Sequence, residues 1–215
     1  MLNKLGFLAI AVLINFSVYS QKTDDFALAQ NTEEIKQKIA ASSAEINSLS
    51  SNFTQEKHLT MMEEVLVSKG NFQFKKENKV RWTYTQPIDY AIIINENQFI
   101  ILNEGKVSTF DISSNRMFSE INQMIVMAIK GNFVDSKEFK AAFFENKEFY
   151  KIALTPVNEQ VASMLNSIEI YFDKKDMSVG KVKFIEPGDD FTLITFTDRK
   201  LNSNIPDKTF SLKNE

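Results

Sequence analysis

Gly70-Asn-Phe-Gln-Phe-Lys-Lys-Glu-Asn-Lys-Val-Arg-Trp-Thr-Tyr-Thr-Gln-Pro87 holds two aromatic alternations, Phe72/Phe74 and Trp82/Tyr84, on either side of a charged turn. A strand points every second side chain to the same face. The four rings therefore belong to one surface of a hairpin. Ordinary sheet faces favour Val and Ile. A face this aromatic is either a thick core or the lining of an apolar binding surface. A shift of one residue in register would exchange the two faces.

Outward from the hairpin, the same period continues. Upstream, Leu49, Ser51, Phe53 and Gln55 alternate with polar neighbours, and Leu66, Ser68 and Gly70 lead into Phe72. Downstream, Tyr90–Ile94, Phe99–Leu102 and Val107–Ile112 are separated by the turns Glu96-Asn97 and Asn103–Lys106. Short strands joined by tight turns indicate an antiparallel meander. The meander is interrupted at Arg116–Lys130, where Phe118, Ile121, Met124, Ile125, Ala128 and Ile129 follow helical spacing and Gly131 ends the run. Strands are expected again at Phe139–Phe144, Glu148–Leu154, Ser167–Phe172, Val179–Ile185 and Phe191–Thr197, with a short helix at Asn158–Leu165 and a last strand at Thr209–Leu212. Before the meander, Asn31 with Glu34 three residues on forms a capping box, and Ile35, Ile39 and Ala40 make an apolar stripe on the helix that follows. The layout is α+β: one long antiparallel sheet with two or three helices, in a single domain over 21–215.

Residues 1–20 carry the pattern of a secretory signal peptide. Lys4 precedes an apolar run from Leu5 to Ile14, and Val18-Tyr19-Ser20 offers a cleavage site before Gln21. The run is short for a membrane span, which needs ~20 apolar residues. The chain has no cysteine. That excludes disulfides and thiolate metal sites, along with the lipid-modified cysteine of a tethered lipoprotein. The expectation is an exported, untethered protein of the periplasm, held together by its own core.

Charge and motif content narrow the function classes. Removal of residues 1–20 takes away Lys4 and leaves a net charge of about −4, with no basic face of the kind nucleic acid or an anionic membrane requires. Phe accounts for 19 of the residues, bulk without a polar handle. His58 is the single histidine and has no partner pattern for metal ligation or nucleophilic catalysis. Glu186, Asp189 and Asp190 flank Pro187-Gly188, a turn signal, and turn acids are normally solvated. The G-x-S-x-G motif and phosphate-binding glycine loops are absent. The pattern calls for no cofactor and no enzyme activity. Met117, Met124 and Met127 give the 116–130 helix a stripe that is either core or an adaptable binding surface, and Met61, Met62 and Met164 add to that supply.

Phe53-Thr-Gln55, Gly70-x-Phe72-x-Phe74 and Arg81-Trp82-x-Tyr84-x-x-Pro87 together resemble the periplasmic lipoprotein carriers of the LolA type. The similarity resumes in Phe191-Thr-Leu-Ile-Thr-Phe196, Asn204-Ile205-Pro206 and Phe210, and so covers most of the exported chain. The resemblance implies a strongly curved, incomplete β-barrel closed by α-helices over an apolar cavity. It implies acylated lipoprotein as cargo, an inner-membrane ABC-type exporter as donor and an outer-membrane acceptor, with the carrier expected to be a monomer. Under it, Phe53, Phe72, Phe74, Trp82 and Tyr84 line the cavity together with Ile92, Ile94, Phe99 and Ile101. Ile121, Met124, Ile125 and Ala128 belong to a movable lid.

Relatives often carry Arg-Pro six positions before the tryptophan, and the arginine contacts the lid. Here Lys76-Glu77 stands there, and lysine lacks the planar fork that binds several carbonyls at once. The closing contact then falls to Lys76 or to Arg81, although strand alternation favours the solvent face for Arg81. Two other readings stay open. One is a carrier of a glycolipid or polyene-like lipid paired with an RND-type exporter. The other is a lipid-sensing interaction module.

Overall fold

The protein is described from a computed structural model that covers residues 25–76, 78–95, 97–112 and 137–212. The expected signal peptide and the helix expected at 116–130 lie outside the described residues. The first helix, α1 (Thr32–Glu45), begins where the capping box places it. The Asn31 side chain accepts from Glu34 N at 3.1 Å, satisfying one of the amides that a helix start leaves unpaired, and donates to Glu34 Oε2 at 3.0 Å. Ile35 and Ile39 are buried beneath it.

Among the described residues, twelve strands form one antiparallel sheet: β1 (Ala27–Leu28), β2 (Ser48–His58), β3 (Leu66–Lys75), β4 (Lys79–Gln86), β5 (Tyr90–Asn95), β6 (Gln98–Asn103), β7 (Lys106–Asp111), β8 (Phe139–Glu145), β9 (Phe149–Pro156), β10 (Ser167–Asp173), β11 (Val179–Ile185) and β12 (Phe191–Leu201). Their order is β1-β8-β9-β10-β11-β12-β2-β3-β4-β5-β6-β7. The meander β2 to β7 is therefore joined to the second meander β8 to β12 through the long pairing of β12 with β2, which sets Phe196 opposite Phe53 and Leu201 opposite Leu49. The outer strands β1 and β7 do not pair with each other, so the curved sheet stays open. A second short helix, α2 (Glu159–Ala162), is capped by Asn158 within the stretch where the sequence indicates one.

The inner face carries two apolar bodies that meet. Leu49, Phe53, Phe72, Phe74, Val80, Ile94 and Phe99 form one. In the other, Ile35 and Ile39 of α1 pack on Ile152, Leu154, Ile168, Ile170 and Phe172 of β9 and β10. Phe184 and Phe196 touch both. Helix α1 thus covers the β8–β11 half of the face. Within the β12 bulge, Arg199 donates from Nη2 to Asp173 Oδ2 at 2.7 Å and from Nε to Ser178 Oγ at 2.8 Å, tying the β10–β11 turn to β12.

The C-terminal segment departs from the expected strand at Thr209–Leu212. Asp207–Phe210 is a single 3-10 turn on the outer face. Phe210 is fully buried there with Ile205 against Ile93 and Ile100. Strands β5 and β6 already pair on both sides, so the segment finds no free edge there. Its carbonyls are met by side chains instead: Arg81 Nη1 donates to Thr209 O at 3.0 Å and Asn95 Nδ2 to Phe210 O at 3.1 Å.

Candidate functional site

Register stacks the inner-face residues of β2 to β6 into three rows. The first, Leu49-Phe74-Val80-Ile94-Phe99, is buried throughout. The second, Ser51-Phe72-Trp82-Ile92-Ile101, is buried at Ser51 and Phe72 and half-buried at Trp82, Ile92 and Ile101. The third, Phe53-Gly70-Tyr84-Tyr90-Asn103, is buried at Phe53 and Gly70 and more open at Tyr84, Tyr90 and Asn103. The face is sealed at the end where the β3–β4 and β5–β6 turns lie, and it opens towards the opposite hairpin tips.

The rings pack on one another. Phe53 meets Trp82 at 5.2 Å and Tyr84 at 5.1 Å between centroids, and Phe72 meets Trp82 edge-on at 5.0 Å. Such tilted and edge-to-face pairs suit the ring quadrupoles. What is present is a packed aromatic floor with half-exposed apolar groups above it. Phe196, which did not enter the sequence reading as a wall residue, joins the cluster at 5.8 Å from Phe72 and 6.0 Å from Trp82. Its signal was the Ile194/Phe196 alternation, but only the β12–β2 pairing brings it to this wall.

Gly70 makes the packing feasible. A Cβ there would lie 1.9 Å from Thr83 O and 2.9 Å from Phe53 Cε1. The ring of Phe53 therefore occupies the space that a side chain at position 70 would need.

Polar groups on this wall are few and unequal. Tyr84 donates its hydroxyl to Gln55 Oε1 at 3.0 Å. Burial, with a smaller contribution from Tyr90, pushes the Tyr84 phenol up to about 12. The folded state holds that proton to higher pH than the unfolded chain, where tyrosine titrates near ~10. The neutral hydroxyl's contribution is intact below pH ~10 and is lost as pH rises towards ~12. The urea midpoint is expected to fall across that window and to fall less in Tyr84→Phe; parallel curves would contradict the assignment. By contrast, Ser51 Oγ and Trp82 Nε1 are closed to solvent and have no hydrogen-bond partner among the described residues. A buried group left so costs about 1–3 kcal/mol.

The remaining candidates have definite places. Lys76 donates from Nζ to Ala44 O at 2.9 Å and so holds the last turn of α1. Arg81 points to the outer face, where Nε donates to Thr83 Oγ1 at 3.1 Å and Nη1 to the C-terminal segment. Ile121, Met124, Ile125 and Ala128 lie outside the described residues. Met61, Met62 and Met164 stand exposed at turns, Met61 at 94 %. They do not extend the described wall. His58 stacks on Phe191 at 4.1 Å. Asp190 accepts from Thr60 N at 2.6 Å and Oγ1 at 2.9 Å, and these bonds hold its carboxyl below the usual range. Glu186 pairs with Lys57 at 3.2 Å. These acids tie turns together. On the outer face, Asn52, Asn71, Gln73, Arg81 and Lys200 border a polar groove of about 410 Å³.

The family described as Outer membrane lipoprotein carrier protein LolA matches residues 44–213. The chain belongs to the LolA family. That stretch spans all of β2 to β12, so the membership rests on every described strand of the sheet but β1. Solved structures with a similar trace include an uncharacterized conserved protein from Thermus thermophilus, at 10% identity and a TM-score of 0.51, over 84% of this chain and 93% of that one. A LolA superfamily protein from Nitrosomonas europaea is similar at 13% identity and a TM-score of 0.43, over 82% and 97%. A putative outer membrane lipoprotein-sorting protein domain from Vibrio parahaemolyticus is similar at 11% identity and a TM-score of 0.43, over 82% and 94%. No curated protein matches the chain. Within the LolA fold, the graded inner face of β2 to β6 is the candidate site.

Proposed function

We propose that this LolA-family protein is a periplasmic lipid-binding chaperone. It takes acylated lipoproteins from an inner-membrane ABC-type exporter and delivers them to an outer-membrane acceptor. The observation that carries the reading is the inner face itself. A family of lipoprotein carriers supplies the scaffold, and here Trp82, Tyr84, Ile92 and Ile101 stay half-exposed above a sealed floor. Residues 1–20 direct export, residues 21–215 form one carrier domain, and the carrier acts as a monomer.

Flexible acyl chains need apolar area more than directional contacts. Each buried methylene contributes ~0.8 kcal/mol, so three chains supply more than a transferable complex can keep. The excess is offset if the 116–130 helix covers the face in the empty carrier and swings away on loading, leaving its Met124/Ile125 stripe uncovered. Release then follows to any acceptor whose cavity is the more favourable.

Native mass spectrometry of the protein isolated from its own periplasm tests the proposal. The expected result is a mass increment equal to a triacylated polypeptide. A free lipid in its place would overturn the lipoprotein assignment in favour of a carrier for another envelope lipid. A preparation without lipid that also fails to bind a triacylated peptide in solution would overturn both.

A further inference from the structure

The inner wall contains two polar atoms that its own packing leaves unused. Ser51 and Trp82 flank Phe72 in the second row, since Ser51 pairs with Phe72 across β2–β3 and Phe72 with Trp82 across β3–β4. Ser51 is 6 % exposed, and both its Oγ and the indole Nε1 are closed to solvent without a partner among the described residues. The neighbouring polar pair on the same wall, Tyr84 and Gln55, satisfies itself at 3.0 Å. Buried polar groups in native proteins are hydrogen-bonded as a rule, and each exception needs a reason.

We propose that Ser51 and Trp82 are donors for the carbonyl oxygens through which acyl chains are joined to their headgroup. The inference rests on the lipid-carrier reading. Hydrocarbon tails bring no acceptor into such a site. The acceptors a lipid does bring are its ester or amide carbonyls, and they lie where the chains converge. An indole N–H can only donate, so Trp82 requires an acceptor and cannot be satisfied by a second donor. The serine hydroxyl donates by rotation. The indole of Trp82 packs against the rings of Phe53, Phe72 and Phe196. Entry of a lipid between the rings opens them. The wall then anchors the carbonyl region in the second row, while tails run along the apolar groups beyond it. The carrier thereby distinguishes acyl lipids from alkyl lipids of equal length.

The test compares two synthetic peptides bearing an S-glyceryl cysteine, one with two ester-linked palmitoyl chains and one with two ether-linked hexadecyl chains. Affinities are read by displacement of a fluorescent fatty acid from the full exported chain. Wild type is expected to prefer the ester by about tenfold, the size of one or two hydrogen bonds. Trp82→Phe and Ser51→Ala should each reduce that ratio, and the double variant should bring it near one, with ester affinity falling further than ether affinity. Trp82 is the sole tryptophan, so its emission in wild type should differ between the two bound peptides. Equal binding of ester and ether by wild type overturns the inference, as does a ratio unchanged in both variants. Failure to bind either peptide would instead overturn the lipid-carrier reading on which it stands.

Discussion

Gly70→Val is expected to lose about 3 kcal/mol or more of stability, a large share of the ~5–15 kcal/mol that holds a typical domain. The reason is which atoms lie in the way. The nearest neighbours of a new Cβ are Thr83 O at 1.9 Å and Thr83 C at 2.8 Å, both backbone atoms of the paired strand β4. They cannot retreat without breaking the β3–β4 ladder, where the register already shifts between Lys69 and Gly70. Phe53 Cε1, at 2.9 Å, would have to swing away from Trp82 and Tyr84. Glycine opposite an aromatic ring is a known device for holding strands together, and here the ring is the floor of the candidate site. Gly105→Ala is the contrast. Its φ of +78° makes a side chain strained, but nothing lies within 4 Å, so the cost is about 1–2 kcal/mol. Urea unfolding of the two variants checks the argument. Equal midpoints would show that the close approach at Gly70 costs no more than the backbone strain at Gly105.

Ile101→Asp is expected to lower affinity for a triacylated peptide more than 100-fold while the protein stays folded. Ile101 is half-buried in the second row beside Ile92, so a carboxylate there remains hydrated in the empty protein. An acyl chain laid over it would strip that water, and burying an unpaired charge costs several kcal/mol. Ile125→Asp and Met124→Asp on the proposed lid should act in the same direction, because the same chains are to pass beneath them. Thr109→Asp is the control, since Thr109 is exposed and pairs with Ile100 on the opposite face of the sheet. Circular dichroism and thermal melts establish that each variant is folded, and lipid displacement reads affinity. Retention of wild-type affinity by Ile101→Asp would remove the second row from the binding surface.

Local signals in the chain translated directly into structure. The Asn31–Glu34 box starts α1 because its hydrogen bonds close within one turn. Alternation in Phe72/Phe74 and Trp82/Tyr84 assigned those rings to one face because the strand period is a property of the backbone. The same reasoning failed at Thr209–Leu212, whose apolar spacing resembles a strand. Phe210 is buried on the outer face by Ile93 and Ile100, elements far away in the chain. Lys76 and Arg81 stood in the sequence as alternative partners for a lid. Lys76 donates instead to Ala44 O, and Arg81 to Thr209 O as well as to the nearby Thr83 Oγ1; the two carbonyls come from segments distant in sequence.

By itself, then, the sequence determined the strand faces, the helix start, the absence of disulfides and the likeness to lipoprotein carriers, since each depends on residues near one another or on residue type alone. Only the tertiary structure decided how those faces meet. Pairing of β12 with β2 brought Phe196 onto the wall, register set Ser51 and Trp82 on either side of Phe72, and Gly70 cleared the space for Phe53. Whether an aromatic side chain is floor or half-exposed wall is a matter of which row it joins, and a row is made by hydrogen bonds between strands.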